Sequence, residues 1–353
     1  MHGSSDVPSV GVDARGGFDD LIDARSPAEY ALDHLPGAIS CPVLDDRERH
    51  EVGSLYVQVG AFEARRVGGA MVAANLARHL QQRFYDRPAG WRPLVYCWRG
   101  GLRSLAMTSW LRTVGWDATR LEGGYKAWRH HVNQAIEVRV PRLQLIVLCG
   151  ATGSAKTRVL HALAERGHQV LDLEALARHK GSLLGDLPGI EQPSQKAFET
   201  GLVDAIERFD LERPVFVEGE SRRIGRLAVP QPLVDRMRAS RCVEIDAPLE
   251  ARVAYLLRDY GYLGERPEWL AGQLAPMKPL HGGETIAGWQ ALVHAGDLPA
   301  LFAALTARHY DPLYARSQSR HFANWSARLS LPIARLDDAD IARLAEAVAA
   351  RVR

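Results

Sequence analysis

The chain has 353 residues, 46% of them hydrophobic and 24% charged, with a formal net charge of +2. That length exceeds what one hydrophobic core usually serves and the composition is globular, so a disordered majority is excluded and about two domains are expected. The net charge neither demands nor forbids an anionic partner, because such binding depends on how Lys and Arg cluster rather than on their sum.

The cysteines Cys41, Cys97, Cys149 and Cys242 lie far apart with no CxxC pair, so neither a disulfide framework nor a zinc site is signalled. The first residues contain no apolar signal region, and no window approaches the ~18 apolar residues of a membrane span. A cytoplasmic protein with no membrane association is expected.

In chain order, short apolar runs alternate with longer helix-like stretches: DLIDAR, PLVYC, ATRLEGG, LQLIVLCG, QVLDLE, PVFVEGE, RCVEIDA and PIARLD. This is α/β patterning. Helices are expected over 69–82, 156–166, 195–209 and 249–259, with ADIARLAEAVAARV as a closing helix after the strand PIARLD. A boundary is expected near Pro141, giving domains 1–137 and 138–353. Residues from about 260 to 325, rich in Trp, His, Gly and Arg, read as a mostly helical insertion.

The first chemically suggestive segment runs from Leu94 to Ser104 and sets Cys97 between a buried strand and a helix beginning near Arg103. Such a turn aims successive backbone N–H groups into one concavity, and Gly100 and Gly101 permit the angles it needs. The helix N-terminus with Arg99 and Arg103 would favour a thiolate, so Cys97 is the expected nucleophile and Arg99, Gly100, Gly101, Arg103 and Ser104 its anion cradle. Cys41, Cys149 and Cys242 read as buried hydrophobes.

The run C-W-R-G-G-L-R-S resembles the active-site loop of rhodanese-type sulfurtransferases. Three further segments match that family in order: Leu21 to Tyr30, His34 to Ile39 and Leu121 to Trp128. The resemblance implies a rhodanese-like N-terminal domain with a persulfide, or its selenium analogue, on Cys97.

The second segment, Gly150-Ala151-Thr152-Gly153-Ser154-Ala155-Lys156-Thr157, follows the strand LQLIVLC and opens a helix, the context of a P-loop. Its backbone N–H groups would hold a diphosphate, Lys156 would reach the outer oxygens and the Thr157 hydroxyl could ligate Mg²⁺. Ala155 stands where a glycine usually precedes the lysine. The strand Pro214 to Val217 ends at Glu218, Gly219 and Glu220, either acid being a candidate for the metal or for acid–base work. No adenine site is evident, so the loop is expected to bind a diphosphate without being a kinase.

A rhodanese-like domain followed by a P-loop domain resembles the tRNA 2-selenouridine synthase family. The segments Gly181-Ser182 with Gly185, Gln192 to Glu199, Glu218 to Gly225 and His309 to Tyr314 are also similar to that family. The resemblance implies a transferase acting on wobble 2-thiouridine of tRNAs for Lys, Glu and Gln. Geranyl diphosphate alkylates the sulfur, and selenophosphate, supplied by selenophosphate synthetase, then provides the replacing selenium. Arg222, Arg223, Arg226, Arg65 and Arg66 are the candidate tRNA contacts. The alternative is a rhodanese sulfurtransferase fused to a nucleotide-dependent kinase or ATPase acting on a small molecule.

Overall fold

A computed structural model describes residues 7–352. Two compact units are present, one reaching to Ala135 and including Pro193–Asp204, the other comprising Ile136–Gln192 and the chain from Ala205. The chain passes from the first unit to the second after Ala135, and Pro193–Asp204, within the expected 138–353 domain, groups with the first unit.

In the first unit the strands β1 (Ser9–Val10), β2 (Asp20–Asp23), β3 (Ala38–Ser40), β4 (Pro93–Tyr96) and β5 (Thr119–Leu121) form a parallel sheet of order β1-β5-β4-β2-β3. β4 is buried along its whole length, as a central parallel strand covered on both faces must be. The helix expected at 69–82 begins earlier, spanning Ala61–His79, and another precedes it at Asp46–Gln58. Both lack a strong apolar stripe because they pack on each other through small contacts. A Cβ at Gly68 would lie 3.1 Å from the Val52 methyls. Asp45 caps the earlier helix by accepting from the Glu48 N–H.

A buried polar network ties this unit together. Asp33, 2% exposed, accepts hydrogen bonds from Tyr125 Oη (2.8 Å) and Thr200 Oγ1 (3.1 Å) and pairs with Arg129. Trp128 donates its indole N–H to the same Thr200 hydroxyl. Thr200 lies in the segment 193–204, so side chains that need buried partners fix where that segment packs.

In the second unit β6 (Leu145–Cys149), β7 (Gln169–Leu171), β8 (Val215–Glu218), β11 (Arg241–Asp246) and β12 (Leu329–Pro332) form a parallel sheet of order β12-β11-β6-β8-β7, while β9 (Arg223–Ile224) and β10 (Leu227–Ala228) make a separate hairpin. All five residues of central β6 are buried. The helix Lys156–Glu165 that follows buries Leu160 and Leu163 in one core with Leu344 and Val348 of the closing helix Asp338–Arg351. The last strand ends at Pro332 rather than running over 332–337. Ile333 still donates to Asp246, but the chain then turns and Leu336 enters the core.

The expected helical insertion comprises the helices Pro267–Leu274, Lys278–His281, Gly283–His294, Leu298–Leu305 and Asp311–His321. It has its own core of Leu270, Leu274, Trp289, Leu301 and Phe302. Among the described residues no helix is long and apolar enough to cross a membrane.

Asp33→Ala strands two hydroxyls and the Arg129 guanidinium in the interior. It should cost about 3 kcal/mol of stability, seen in urea denaturation as an earlier transition of the first unit.

Candidate functional site

Cys97 follows β4 directly and is 3% exposed, its Sγ lying 3.2 Å from Ser104 Oγ and 3.9 Å from the Gly101 carbonyl. The helix Leu102–Val114 starts behind it, and its first intrahelical bond runs from the Leu105 N–H to Gly101. The N–H groups of the helix's first turn therefore precede the ladder and have no acceptor within the helix.

The turn Gly123-Gly124 clamps this loop from the other side. Tyr125 and Lys126 donate backbone N–H bonds to the carbonyls of Cys97 (2.8 Å) and Trp98 (3.0 Å). A Cβ at Gly124, whose φ is +57°, would sit 2.3 Å from the Cys97 oxygen. Only glycine fits there, which gives the E-G-G-Y segment its physical meaning.

The segment around Arg25 is likewise structural. Arg25 is buried against Asp23 (2.6 Å), lies over the Tyr96 and Tyr125 rings and donates to the Asp33 carbonyl. Ser26 and Glu29 form a capping box, and Glu29 also binds Arg103 through both oxygens (2.5 and 3.2 Å). Arg103 is thus charge-balanced by Glu29, which is held below the usual carboxylate range chiefly by that bond despite its burial. Arg99 is exposed at the loop's rim. The structure brings Cys97, Gly100, Gly101 and Ser104 together and divides the two arginines between a fixed pair and a free rim position.

In the second unit the P-loop borders a cavity of about 660 Å³ lined by residues 152–157. Lys156 Nζ donates to the Gly150 carbonyl at 2.9 Å, and the Gly150 N–H donates to Tyr314 Oη at 2.5 Å. Ala155 adopts left-handed angles (φ 59°, ψ 30°), which costs about 1–2 kcal/mol for a residue with a Cβ. Its methyl is buried in the core, which offsets part of that cost. Arg252 holds the loop by donating to the Thr152 carbonyl (3.2 Å) while pairing with both oxygens of Asp311 (2.8 and 2.9 Å).

Glu174 Oε2 accepts from Thr157 Oγ1 (3.0 Å), and the Glu174 N–H donates to Glu218 Oε1 (3.0 Å). Glu218 is wholly buried and its other oxygen has no hydrogen-bond partner; the buried Ser154 hydroxyl is orphaned too. Gly181 packs over the acids, a Cβ there meeting Glu220 Oε2 at 2.7 Å and Glu174 Oε1 at 2.8 Å. Burial pushes the Glu174 carboxyl up to about 8, with Glu220 the next cause. Glu218 and Glu220 are also raised, first by burial.

Sequence reasoning does not single out Glu174; its signal is the acid that closes the run QVLDLE, three residues past the end of β7. Tyr314, His309 and Asp311 belonged to a segment singled out only by resemblance. The cavity also has an apolar side, Val234, Met237, Leu313 and Phe322, which sequence could not locate.

Arg222 borders this cavity and bonds Gln231. Arg223 and Arg226 border a second recess of about 680 Å³ with Gln192, whose carbonyl accepts from Arg226. In the first unit Arg65 and Arg66 are exposed, Arg66 being paired with Glu63 at 2.8 Å and Arg65 bonded to the Ala61 carbonyl.

Two family profiles match the chain: a rhodanese-like domain over residues 12–131, and one described as the tRNA 2-selenouridine synthase AAA domain over 143–268. The N-terminal unit is therefore rhodanese-like and the C-terminal one P-loop-like. A protein of Nitrosomonas europaea named tRNA 2-selenouridine synthase is 39% identical over 247 residues, 68% of this chain and 63% of that protein. One of Cupriavidus necator with the same name is 40% identical over 68% of this chain and 65% of its own length. Both matches span just under two thirds of the relative. A third, from Chromohalobacter salexigens, is 32% identical over 349 residues, 88% of this chain and 92% of that protein.

The raised Glu174 carboxyl makes a pH prediction. The folded state keeps this proton up to about 8, whereas the ordinary value is 4.5, so its contribution is fully present below the lower value and lost as pH rises through the upper. The ligand-free melting temperature should fall between roughly pH 5 and 8, and Glu174→Gln should flatten that slope, as read by calorimetry.

Proposed function

The chain belongs to the tRNA 2-selenouridine synthase family, and from that premise we propose that it converts the wobble 2-thiouridine of tRNAs for Lys, Glu and Gln into 2-selenouridine through an S-geranyl intermediate. The observation that carries this reading is the P-loop cavity, which joins a phosphate-holding turn to an apolar wall. A prenyl diphosphate needs both.

In the first reaction the diphosphate of geranyl diphosphate lies on the N–H groups of residues 150–157, with Lys156 leaving Gly150 to meet it and the chain against Val234, Met237 and Phe322. The uridine sulfur attacks the carbon bearing the diphosphate, and the leaving charge falls on Lys156 and the helix N-terminus. Thr157 Oγ1 and the orphaned Glu218 oxygen fit an Mg²⁺ ion, which would neutralise diphosphate charge. No three His, Cys, Asp or Glu side chains converge as a metal cluster among the described residues. The ion would thus take most of its shell from diphosphate and water oxygens, as Mg²⁺ commonly does.

In the second reaction selenophosphate, supplied by selenophosphate synthetase, binds at the N–H groups around Gly100 and Gly101, with Arg99 at the rim. The Cys97 sulfur adds to C2 of the alkylated base and its proton leaves with the geranyl thiol. The selenium of selenophosphate then displaces Cys97 from C2, and water takes the phosphoryl group from selenium as phosphate, leaving the C2–Se bond. The tRNA is held by phosphate contacts from Arg222, Arg223 and Arg226, with Arg65 and Arg66 on the first unit, so its affinity should fall steeply with salt.

The test is nucleoside mass spectrometry after incubating 2-thiouridine tRNA with geranyl diphosphate and selenophosphate. Lys156→Ala should slow geranylation by about 10²-fold or more, having lost the principal cation facing the leaving group. Cys97→Ser should abolish selenation and leave the geranylated nucleoside to accumulate. Wild-type protein yielding neither product would sink the proposal.

A further inference from the structure

We propose that His309 is the acid–base residue of the P-loop cavity, its Nε2 receiving the proton the acceptor base loses as its sulfur is alkylated, with His281 as that proton's outlet. This rests on the prenyl-transfer reading and adds to it a residue and a proton path.

The helix Leu298–Leu305 continues into Asp311–His321 only through a widened π turn, Thr306–Tyr310, in which the Asp311 N–H reaches back to the Thr306 carbonyl. Such turns have poorer hydrogen bonding than regular helix and gather at functional positions. Here the buried Thr306 hydroxyl is left without a partner. The arrangement sets two consecutive residues, His309 and Tyr310, on the cavity wall, followed one turn on by Leu313 and Tyr314.

His309 is 9% exposed and its Nδ1 lies 2.9 Å from His281 Nε2. That bond occupies one ring nitrogen, so Nε2 is the one left for a ligand. His281, half-buried, ends the helix Lys278–His281 and packs on Trp289. Burial, with His281 second, lowers the His309 pKa, so the resting ring is neutral and keeps a lone pair able to accept a proton.

The other candidates are engaged: Glu174 accepts from the Thr157 hydroxyl, and Lys180 is locked to Asp259 at 2.9 Å beneath the Tyr260 ring. His321 is exposed, with its Nδ1 against the Ser317 carbonyl.

The step balances. A 2-thiouracil ring carries its labile hydrogen on N3. As sulfur bonds to the prenyl carbon, the C–O bond breaks, diphosphate leaves with the electron pair, and the N3 proton moves to His309 Nε2. His309 then gives its Nδ1 proton to His281 Nε2, and His281 releases its own Nδ1 proton to water.

The experiment measures single-turnover geranylation of 2-thiouridine tRNA by the intact chain across about pH 5–9. His309→Ala should lower the rate about 10²-fold or more and lose the acidic limb of the profile. Added imidazole should restore part of the rate, and calorimetric affinity for inorganic diphosphate should be unchanged. His281→Ala should shift the acidic limb with a smaller loss. The inference is overturned if His309→Ala alkylates at the wild-type rate with the same pH profile, or if imidazole restores nothing while diphosphate still binds. If the wild-type chain forms no S-alkyl product, the prenyl-transfer reading itself fails, and the two failures are told apart by that control.

Discussion

A parallel strand that passes straight into a helix leaves several backbone N–H groups without acceptors at the sheet's carboxyl edge, and both sites of this chain are built on that deficit. After β4 the loop wraps the Cys97 sulfur, and the glycine turn at 123–124 binds its carbonyls so that its N–H groups stay turned inward. After β6 the Gly150 N–H is met by the Tyr314 hydroxyl and the Gly150 carbonyl by Lys156. Loop shape at the second site is held from outside the motif: Asp311 orients Arg252, and Arg252 grips the Thr152 carbonyl. That clamp explains how Ala155 persists in a left-handed conformation, since strain survives where surrounding contacts over-determine the backbone.

The two sites differ in how their charges are settled. Around Cys97 the fixed guanidinium of Arg103 is balanced by Glu29, so the pull on an anion comes from backbone dipoles and Arg99. Around Lys156, Glu174 and Glu220 act on one ammonium, and burial raises both carboxyls, as it does Glu218, because it penalises the charged form.

Sequence exposes what is local. The strand runs, the cysteine turn and the P-loop are contiguous, and each carries its own chemical logic, so Cys97, Lys156 and Thr157 could be named before any fold was known. What stayed hidden depends on partners far along the chain. Glu174 becomes special because Gly181 seals it and Glu218 receives its N–H. Arg103 looks like part of an anion cradle until Glu29, 74 positions away, is found on it. Residues 193–204 read as second-domain helix because their apolar spacing carries no address; Thr200 reaching Asp33 supplies it. The strand at Leu329–Pro332 was displaced in the reading because the apolar residues after it pack as a loop.

The pairing of a diphosphate site with a thiol site has a chemical reason on the proposed reading. The sulfur of 2-thiouridine is a thione bound to a ring that shares its electrons, and it departs poorly. Once alkylated, and with the N3 proton gone, C2 becomes the electrophilic carbon of an isothiourea whose leaving group is a neutral thiol after protonation. The Cys97 sulfur can add there and expel the geranyl thiol, and the selenide-level selenium of selenophosphate then displaces Cys97, so that the C–Se bond is kept once water has removed the phosphoryl group. The prenyl group is thus discarded in full, and its ten carbons serve only to be gripped. On that reading the apolar residues beside the P-loop, Val234, Met237, Leu313 and Phe322, have a purpose in holding the prenyl chain.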